Sequence, residues 1–379
     1  MRLDQLRLSY VRSVERWIRD KLHRGIAHLL PGPAAPARIP TWDERPYRIL
    51  VLRYDVIGDL VLSTGMLRQI ALAHPGFEID VLARTWVVPV LDGLPFVRRV
   101  IPFDCSATNR YPSMALLSQV RRQRYDVVVD GMSIRRSSPT SSVMFMLAAR
   151  APYRVGLKSA SNSYFYNIAV DPDRSRHHAE QSAVLAQPFG LSLDKTDWRS
   201  QLAVTAAERD AAEAYWSSLG VGLRVFVNIS VTDPRNDWPD ERFVTALRRL
   251  RSRRRDLVIV VSGIASQTDR IVRIARESGV HAATQSLREV IARVATSDLV
   301  LTPDTGIVHI AAAFQRPIVG LYRVDTRMWA PYHVPHRALH SESLVHTIPV
   351  DRVSEALEDL LDEQFGGVKA ERLAELQGR

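Results

Sequence analysis

The chain has 379 residues, 46% of them hydrophobic and 24% charged, which excludes intrinsic disorder and fibrous classes and fits two domains of roughly 150 residues each. A single cysteine, Cys105, excludes an internal disulfide framework, and the sequence shows neither a signal peptide nor the roughly 18–20 apolar residues that span a bilayer, so we expect a cytoplasmic protein. The net charge of +10 favours phosphate-bearing partners, but we expect no nucleic acid because no recognition helix, zinc module or aromatic RNA-binding strand accompanies it.

Residues 1 to about 31 have the pattern of an amphipathic helix, with arginines on the faces that the apolar residues leave open. The apolar positions recur every four residues at Leu6, Tyr10, Val14, Ile18, Leu22 and Ile26. Prolines between residues 31 and 40 cannot continue a helix and predict a spacer before Tyr47, so residues 1–46 form an N-terminal helix and linker. The helix either packs on the body of the protein or lies on an anionic membrane surface, which would make the protein peripheral on the inner face of the cytoplasmic membrane.

A first domain is predicted over residues 47–205 as alternating strands and helices. Apolar runs of strand length lie at 48–53, 78–83, 98–102 and 126–130. Helix-length segments at 60–74 and 113–124 separate them. This alternation is typical of a doubly wound parallel sheet.

The same pattern restarts after a polar helix that begins at residue 206. Predicted strands lie at 224–229, 257–262, 299–302 and 318–322, and predicted helices at 240–254, 268–277 and 286–296. A second domain therefore covers residues 206–345, and residues 346–379 form a C-terminal helical segment. The predicted fold class is α/β, with two Rossmann-like doubly wound parallel sheets facing a cleft. Ligands of such sheets bind outside the carboxyl ends of the strands, so chemistry is expected in the loops there.

The turn after the first strand carries Gly58 and Asp59. Gly58 allows close approach of the backbone to a ligand, and Asp59 offers a carboxylate to the cleft. Aspartate is also a common N-cap, so Asp59 either caps the following helix or acts in chemistry.

A second candidate is Asp304-Thr305-Gly306, which follows a strand and opens a small-residue helix. Backbone N–H groups at the start of a helix, at the positive end of its dipole, form a ready phosphate site. His309 lies about one turn further on and either faces the same ligand or is a buried structural histidine. An aspartic protease, which shares the Asp-Thr-Gly triplet, is disfavoured because those enzymes are all-β.

A third candidate is the loop after Asn228-Ile-Ser230, which carries Arg235. Arg235 could neutralise a diphosphate leaving group by charge-assisted hydrogen bonds, or be an ordinary surface charge. His177, His178 and Glu180 could be metal ligands, but adjacent histidines diverge in direction, and Asp171-Pro-Asp173 has the character of an ordinary loop. We therefore expect no metal and no cofactor.

Taken in order, these motifs resemble glycosyltransferase family 9, the lipopolysaccharide heptosyltransferases, over most of residues 47–360. Residues 48–53 with Ile57-Gly-Asp59 look like the family's opening strand and Gly-Asp turn, and residues 303–313 look like its C-terminal motif. Segments 125–130, 153–156 and 238–243 fall in the expected places between them.

The resemblance implies a GT-B fold and a metal-independent, inverting transfer from a nucleotide sugar, of the ADP-heptose type, to a lipid-linked or other envelope glycan. Asp59 matches the family's catalytic carboxylate and would be the general base. The implied donor site contains Asp304, Thr305, Gly306, His309, Ser230, Arg235 and Gly263. The implied acceptor site contains Gly58, Arg135 and His178.

This chain departs from the family pattern in several places, which indicates a divergent member. Asn236 stands where the family often has a lysine before Trp-Pro, so Arg235 is assigned the cationic role. The loop at 322–326 differs from the family's Gly-Pro-Thr-Asp-like loop and leaves the donor sugar open. Two alternatives also remain: a sugar-nucleotide epimerase or hydrolase on the same scaffold, and a non-catalytic glycan-binding protein of envelope assembly.

Overall fold

The computed structural model describes Lys21, Gly25 and residues 39–42, 45–104, 111–134, 140–158, 165–323, 327–341 and 343–366. The predicted amphipathic helix, apart from Lys21 and Gly25, lies outside these residues, as do Cys105 and Arg135. The described residues form two compact units divided after Trp198, and the segments Ile57–Thr64 and Asp92–Leu94 group with the second unit. Within the described ranges, no helix is both long and apolar enough to cross a membrane.

Unit 1 is built on a parallel sheet of six strands. The strands are β1 (Arg48–Leu52), β2 (Glu78–Arg84), β3 (Arg99–Phe103), β4 (Val127–Asp130), β5 (Tyr153–Leu157) and β6 (Ile168–Val170). The helices are α1 (Ile57–Ala73), whose first half groups with unit 2, α2 (Met114–Arg122), α3 (Thr140–Ala149) and α4 (His178–Ala183). The sheet order is β3-β2-β1-β4-β5-β6.

Unit 2 repeats this plan with six further parallel strands. They are β7 (Leu223–Asn228), β8 (Leu257–Gly263), β9 (His281–Thr284), β10 (Leu299–Pro303), β11 (Ile318–Tyr322) and β12 (His336–His340). The helices are α5 (Ala206–Leu219), α6 (Asp240–Arg253), α7 (Thr268–Ser278), α8 (Leu287–Ala295), α9 (Gly306–Ala313) and α10 (Val350–Phe365). The sheet order is β12-β11-β10-β7-β8-β9.

Each sheet, counted within its own unit, has the strand order 3-2-1-4-5-6 of a doubly wound Rossmann-like fold. The winding reverses between β1 and β4 in unit 1 and between β7 and β10 in unit 2. The ends of these central strands are where a ligand crevice forms in such folds. The predicted fold class, two doubly wound parallel sheets, is confirmed.

The central strands form because their apolar residues are consecutive rather than alternating, which suits strands with both faces covered. All five residues of β10 are buried, and so are four of the five in β1. Capping boxes start two helices of unit 2: Thr205 with Glu208 at α5, and Ser286 with Glu289 at α8.

The prediction that the segment before Tyr47 is only a spacer is wrong at Trp42. Its indole is buried, donates a 2.6 Å hydrogen bond to the carbonyl oxygen of Pro188, and packs edge-on against Tyr47 and Phe77. Trp42 therefore belongs to the aromatic core of unit 1, where it buries a large apolar surface and satisfies its N–H group.

Most arginines of the stretch at 248–255 form ion pairs or hydrogen bonds with other residues of unit 2. Three of its side chains form ion pairs that reach the acidic face of α10: Arg249 with Asp351, Arg253 with Glu358, and Arg254 with Asp362. Arg248 and Arg251 donate to the backbone carbonyls of Glu277 and Gly279. Much of the positive charge that the sequence places here therefore stabilises the packing of α6 and is not left to attract a partner.

Candidate functional site

The polar centre of unit 2 lies at the reversal of its sheet, where β7 and β10 end side by side. The amide nitrogen Nδ2 of Asn228, the last residue of β7, donates to the hydroxyl oxygens of Thr302 at 3.0 Å and of Thr305 at 3.2 Å. The two threonine hydroxyls are 3.2 Å apart. One buried amide thus ties the end of β7 to the turn that leads into α9.

The loop after β7 is held by the other end of the same side chain. The Ser230 hydroxyl donates to Oδ1 of Asn228 at 2.7 Å, and the Ser230 backbone N–H donates to the same oxygen at 3.2 Å. Ser230 is half-buried and lies beside the same polar cluster. Asn228 therefore fixes both Ser230 and Thr305.

Thr305 is the N-cap of α9 and has an extended backbone. Its hydroxyl accepts a hydrogen bond from the backbone N–H of Ile307 at 3.4 Å. Both Thr305 and Gly306 remain half-exposed. The start of α9 combines the half-exposed backbone of Gly306 with the positive end of the helix dipole, so it can receive an anion such as a diphosphate.

Charged groups flank this helix start. Burial raises the pKa of the Asp304 carboxyl, and the positive charge of Arg323, just after β11, partly offsets that rise. The charge of Arg323 also acts on Asp233, whose pKa the bonded side chain of Arg235 lowers to about 2. Arg323 is therefore close enough to influence the carboxylates on both loops beside the start of α9.

The first turn of α1 packs against the start of α9, and both belong to unit 2. A Cβ added to Gly58 would stand 2.8 Å from Cδ2 of His309, and one added to Gly306 would stand 2.7 Å from Cγ2 of Ile57. Such distances are shorter than any normal carbon contact, so only glycine fits at either position. The two motifs that are far apart in the sequence are neighbours here.

Asp59 is the third residue of α1 and only 7% exposed. The N-cap is Val56, so the interpretation of Asp59 as an N-cap is wrong. A carboxylate in the first turn still interacts favourably with the helix dipole. Because it directly follows Gly58, Asp59 is carried by the turn that packs on α9.

His309 lies in α9 and is 4% exposed, with its ring against Gly58. It is a packed residue of the site, and whether it also touches the donor stays a prediction. Gly263 ends β8, where a Cβ would lie 3.0 Å from Oε1 of Gln267. The structure thus places Gly263 at the same carboxyl edge of the sheet as Asn228.

Arg235 lies in a short 3-10 helix, Pro234–Asn236, after β7. Its guanidinium donates to Asp233 through Nε at 2.9 Å and Nη2 at 2.6 Å, and its side chain is 62% exposed. The residue has the predicted location, but its charge is already compensated.

The structure says less about the other two residues of the predicted acceptor site, His178 and Arg135. His178 is the half-buried first residue of α4 in unit 1, and Arg135 lies outside the described residues. Glu180 and Asp173 both pair with Arg176, and Asp171 pairs with Lys158. In the part of the chain that the structure describes, no three His, Cys, Asp or Glu side chains are grouped so that they could hold a metal ion.

Sequence reasoning did not assign three residues of this site: Asn228, Thr302 and Arg323. Asn228 was quoted in the motif with Ser230, but its link to Thr302 and Thr305 spans more than 70 positions of sequence. The available signal was a polar residue at the end of each of two strands that become neighbours at the sheet reversal. Arg323 was noted only as a departure from the family pattern.

Comparison with known proteins finds bacterial heptosyltransferases. The profile of glycosyltransferase family 9 (heptosyltransferase) matches residues 113–355, more than half of the chain. Lipopolysaccharide heptosyltransferase 2 of Salmonella typhimurium is 24% identical over 352 residues, which cover 84% of this chain and 99% of that protein.

Solved structures show the same fold. A family 9 glycosyltransferase from Veillonella parvula superposes with a TM-score of 0.73 at 21% identity, covering 84% of this chain and 97% of that one. The heptosyltransferase WaaC of Escherichia coli, solved with ADP, gives 0.68 at 20% identity, covering 83% of this chain and 99% of that one. The same E. coli protein was also solved with ADP-2-deoxy-2-fluoro heptose. The chain, with its GT-B fold of two doubly wound sheets, belongs to glycosyltransferase family 9, the heptosyltransferase family, and is a glycosyltransferase.

Proposed function

We propose that this enzyme transfers a heptose or a related sugar from an ADP-linked donor to a lipopolysaccharide or other envelope glycan, with inversion and without a metal. The observation that carries the proposal is the Asn228 side chain, which holds Thr305 at the start of α9 while that helix start stays open to an anion. The E. coli relative that was solved with ADP and with a fluorinated ADP-heptose supports the choice of nucleotide.

In this proposal the donor diphosphate lies at the amino end of α9. The backbone N–H of Gly306 and the positive helix end stabilise the charge that grows on the leaving phosphate. Ser230, held by Asn228, borders the same space. Arg323 supplies a cation near Asp304 and Asp233, and we assign it the charge-neutralising role together with Arg235.

Asp59 is the proposed general base. Asp59 removes the proton from the acceptor hydroxyl as that oxygen attacks the anomeric carbon. The bond between the anomeric carbon and the diphosphate oxygen breaks, and ADP leaves with the electron pair of that bond. One displacement inverts the anomeric centre. The position of Asp59 in the turn that packs on α9 supports this role, because it brings a carboxylate-bearing turn next to the proposed diphosphate site.

The test is product analysis with the full chain, ADP-heptose and a lipid-linked envelope glycan, with UDP-, GDP- and CDP-sugars as competing donors. We expect an inverted glycoside and ADP in equal amounts. The yield should be the same with and without a metal chelator, because the proposed transfer needs no metal. The Asp59→Asn variant should lose about 10²–10⁴-fold in kcat while still binding ADP. Free sugar in place of glycoside would favour the hydrolase or epimerase alternative, and undiminished turnover of Asp59→Asn would remove it as the base.

We further propose that the reaction takes place at the cytoplasmic face of a membrane, where a lipid-linked acceptor would lie. The amphipathic pattern of residues 1–31 supports this. Deleting residues 1–31 should reduce sedimentation with anionic vesicles and leave the unfolding temperature nearly unchanged. Unchanged sedimentation together with a lower unfolding temperature would instead show that this segment packs on the protein.

A further inference from the structure

Unit 1 contains an arginine-lined cleft at the amino ends of β4 and β5, the opposite edge of the sheet from the strand ends where ligands of such folds bind. Its volume is about 440 Å³, and its lining residues are Arg121, Arg124, Tyr125, Ala149 and Arg150. The first three come from the end of α2 and the turn before β4, and the last two from the end of α3.

Among the residues that the structure describes, the three arginines of this cleft have no partner that compensates their charge. None of their side chains makes an ion pair or hydrogen bond to any other residue in the described ranges, and no carboxylate is among the lining residues. Nearby acids are engaged elsewhere: Asp126 pairs with Arg45, and Asp80 pairs with Arg98. Three like charges around one cleft repel one another unless an anion binds between them.

Tyr125 and Ala149 define what else the cleft offers. The hydroxyl of Tyr125 donates its proton to Asp80 at 2.6 Å, so it is not available as a donor to a ligand. Ala149 is small and leaves space. The guanidinium groups are therefore the main polar groups available to a ligand.

The backbone holds two of these arginines in an unusual conformation. Arg124 and Arg150 follow the ends of α2 and α3 with φ of 54° and 49°, in the left-handed region. Glycine or asparagine commonly ends a helix in this way, and other residues adopt it at a conformational cost. Both helices are thus followed by an arginine at a position where glycine or asparagine would fit more easily.

We propose that this cleft binds a phosphate group carried by a larger anionic ligand. Arginine matches the geometry of phosphate oxygens with its paired N–H donors, and three such groups surround the cleft. The volume lies within the roughly 300–1,000 Å³ of small-molecule sites, so it accommodates a phosphate together with the group that carries it. The site belongs to unit 1, whereas the proposed donor diphosphate site belongs to unit 2, and the inference does not depend on the transfer reaction.

The test compares the full wild-type chain with the variant Arg121→Gln/Arg124→Asn/Arg150→Asn. Asparagine keeps the left-handed backbone accessible and removes the charge. Arg122→Gln is the matched control, because Arg122 lies in the same helix, bonds to Ser118 and does not line the cleft. All samples contain saturating ADP, so that the donor site is occupied, and a fixed chloride concentration.

Two probes distinguish the source of the phosphate: soluble glycerol 3-phosphate, measured by titration calorimetry, and phosphatidylcholine vesicles with and without phosphatidic acid, measured by sedimentation. We expect wild type and Arg122→Gln to bind at least one probe and the triple variant to bind it at least tenfold more weakly. Binding of glycerol 3-phosphate alone identifies a soluble phosphate ester, and binding of the acidic vesicles alone identifies a lipid headgroup.

Equal binding of both probes by wild type and the triple variant would overturn the inference, as would equal losses in the triple variant and Arg122→Gln. The triple variant should unfold at a temperature no lower than wild type without ligand, because the replaced side chains make no bonds within the described protein. The single variants Arg121→Gln and Arg150→Asn are measured in parallel, and each should weaken binding by itself.

Discussion

Gly58 lies directly against the ring of His309, so close that a Cβ at position 58 would stand 2.8 Å from Cδ2 of the histidine. Gly306 has the same property toward Ile57, and its Cα is itself 3.7 Å from the Cβ position of residue 58. The glycines of both sequence motifs therefore serve one packing contact between the starts of α1 and α9. That contact brings the turn with Asp59 to the helix start proposed to bind the diphosphate.

Gly58→Ala should destabilise unit 2. Alanine in a helix is normally favoured over glycine by about 1 kcal/mol, but the clash with the buried His309 ring should reverse the sign, with a net loss of about 1–3 kcal/mol. Urea unfolding measures the change. The control is Gly76→Ala, whose Cβ would be 3.6 Å from the nearest atom, a carbon of Pro46, and should change stability by less than about 0.5 kcal/mol. Equal stability of the two variants would contradict this account.

Asn228→Ala should cost about 1–3 kcal/mol of unfolding free energy, because it leaves the Thr302 and Thr305 hydroxyls short of a partner. It should also weaken ADP binding, since Thr305 is no longer held at the start of α9. Thermal unfolding and ADP titration report the two effects. Ser230→Ala, which removes a bond to Oδ1 and leaves the amide donor in place, is the comparison and should be milder. A variant with wild-type ADP affinity would show that Asn228 has no positioning role.

Arg323→Gln should weaken ADP binding more than Arg235→Gln. The charge of Arg323 acts on Asp304 beside the start of α9, while Arg235 is exposed and its guanidinium is bound to Asp233. We expect a loss of about tenfold for Arg323→Gln, equivalent to about 1.4 kcal/mol, and a smaller loss for Arg235→Gln. Calorimetric titration with ADP at fixed ionic strength measures both. The reverse ranking would restore the cationic role to Arg235 alone.

Asp304→Asn should raise stability at neutral pH. Burial raises the pKa of this carboxyl, so its ionised form opposes folding, and that cost disappears once the group is protonated as pH falls. The advantage of the variant should therefore be largest near pH 7 and shrink toward about pH 3, where this carboxyl is mostly protonated in both the folded and the unfolded wild type. Unfolding free energies over this range, compared with Asp359→Asn at an exposed position of α10, give the test. A constant or growing advantage at low pH would be inconsistent with the raised pKa.

The sequence by itself determined the strands and helices whose burial can be recognised from the pattern of neighbouring apolar residues. Strands β1 and β10 are short unbroken apolar runs, and helices α6, α7 and α8 repeat apolar residues with helical spacing, so each could be located within a few residues. The two motifs and their order also identified the family. Local patterns suffice for these features because a strand covered on both faces, or a helix covered on one, needs a particular spacing of apolar side chains.

Only the tertiary structure decided which distant residues meet. Strands β9 and β12 contain few buried residues and are strands because β8 and β11 supply their hydrogen-bonding partners. The arginines at 248–255 read as a basic surface in the sequence, but α10 places acids opposite several of them. Likewise, Gly58 with His309 and Asn228 with Thr305 are set by the packing of whole elements. No local spacing encodes such contacts, because the sequence between the partners fixes neither their distance nor their orientation.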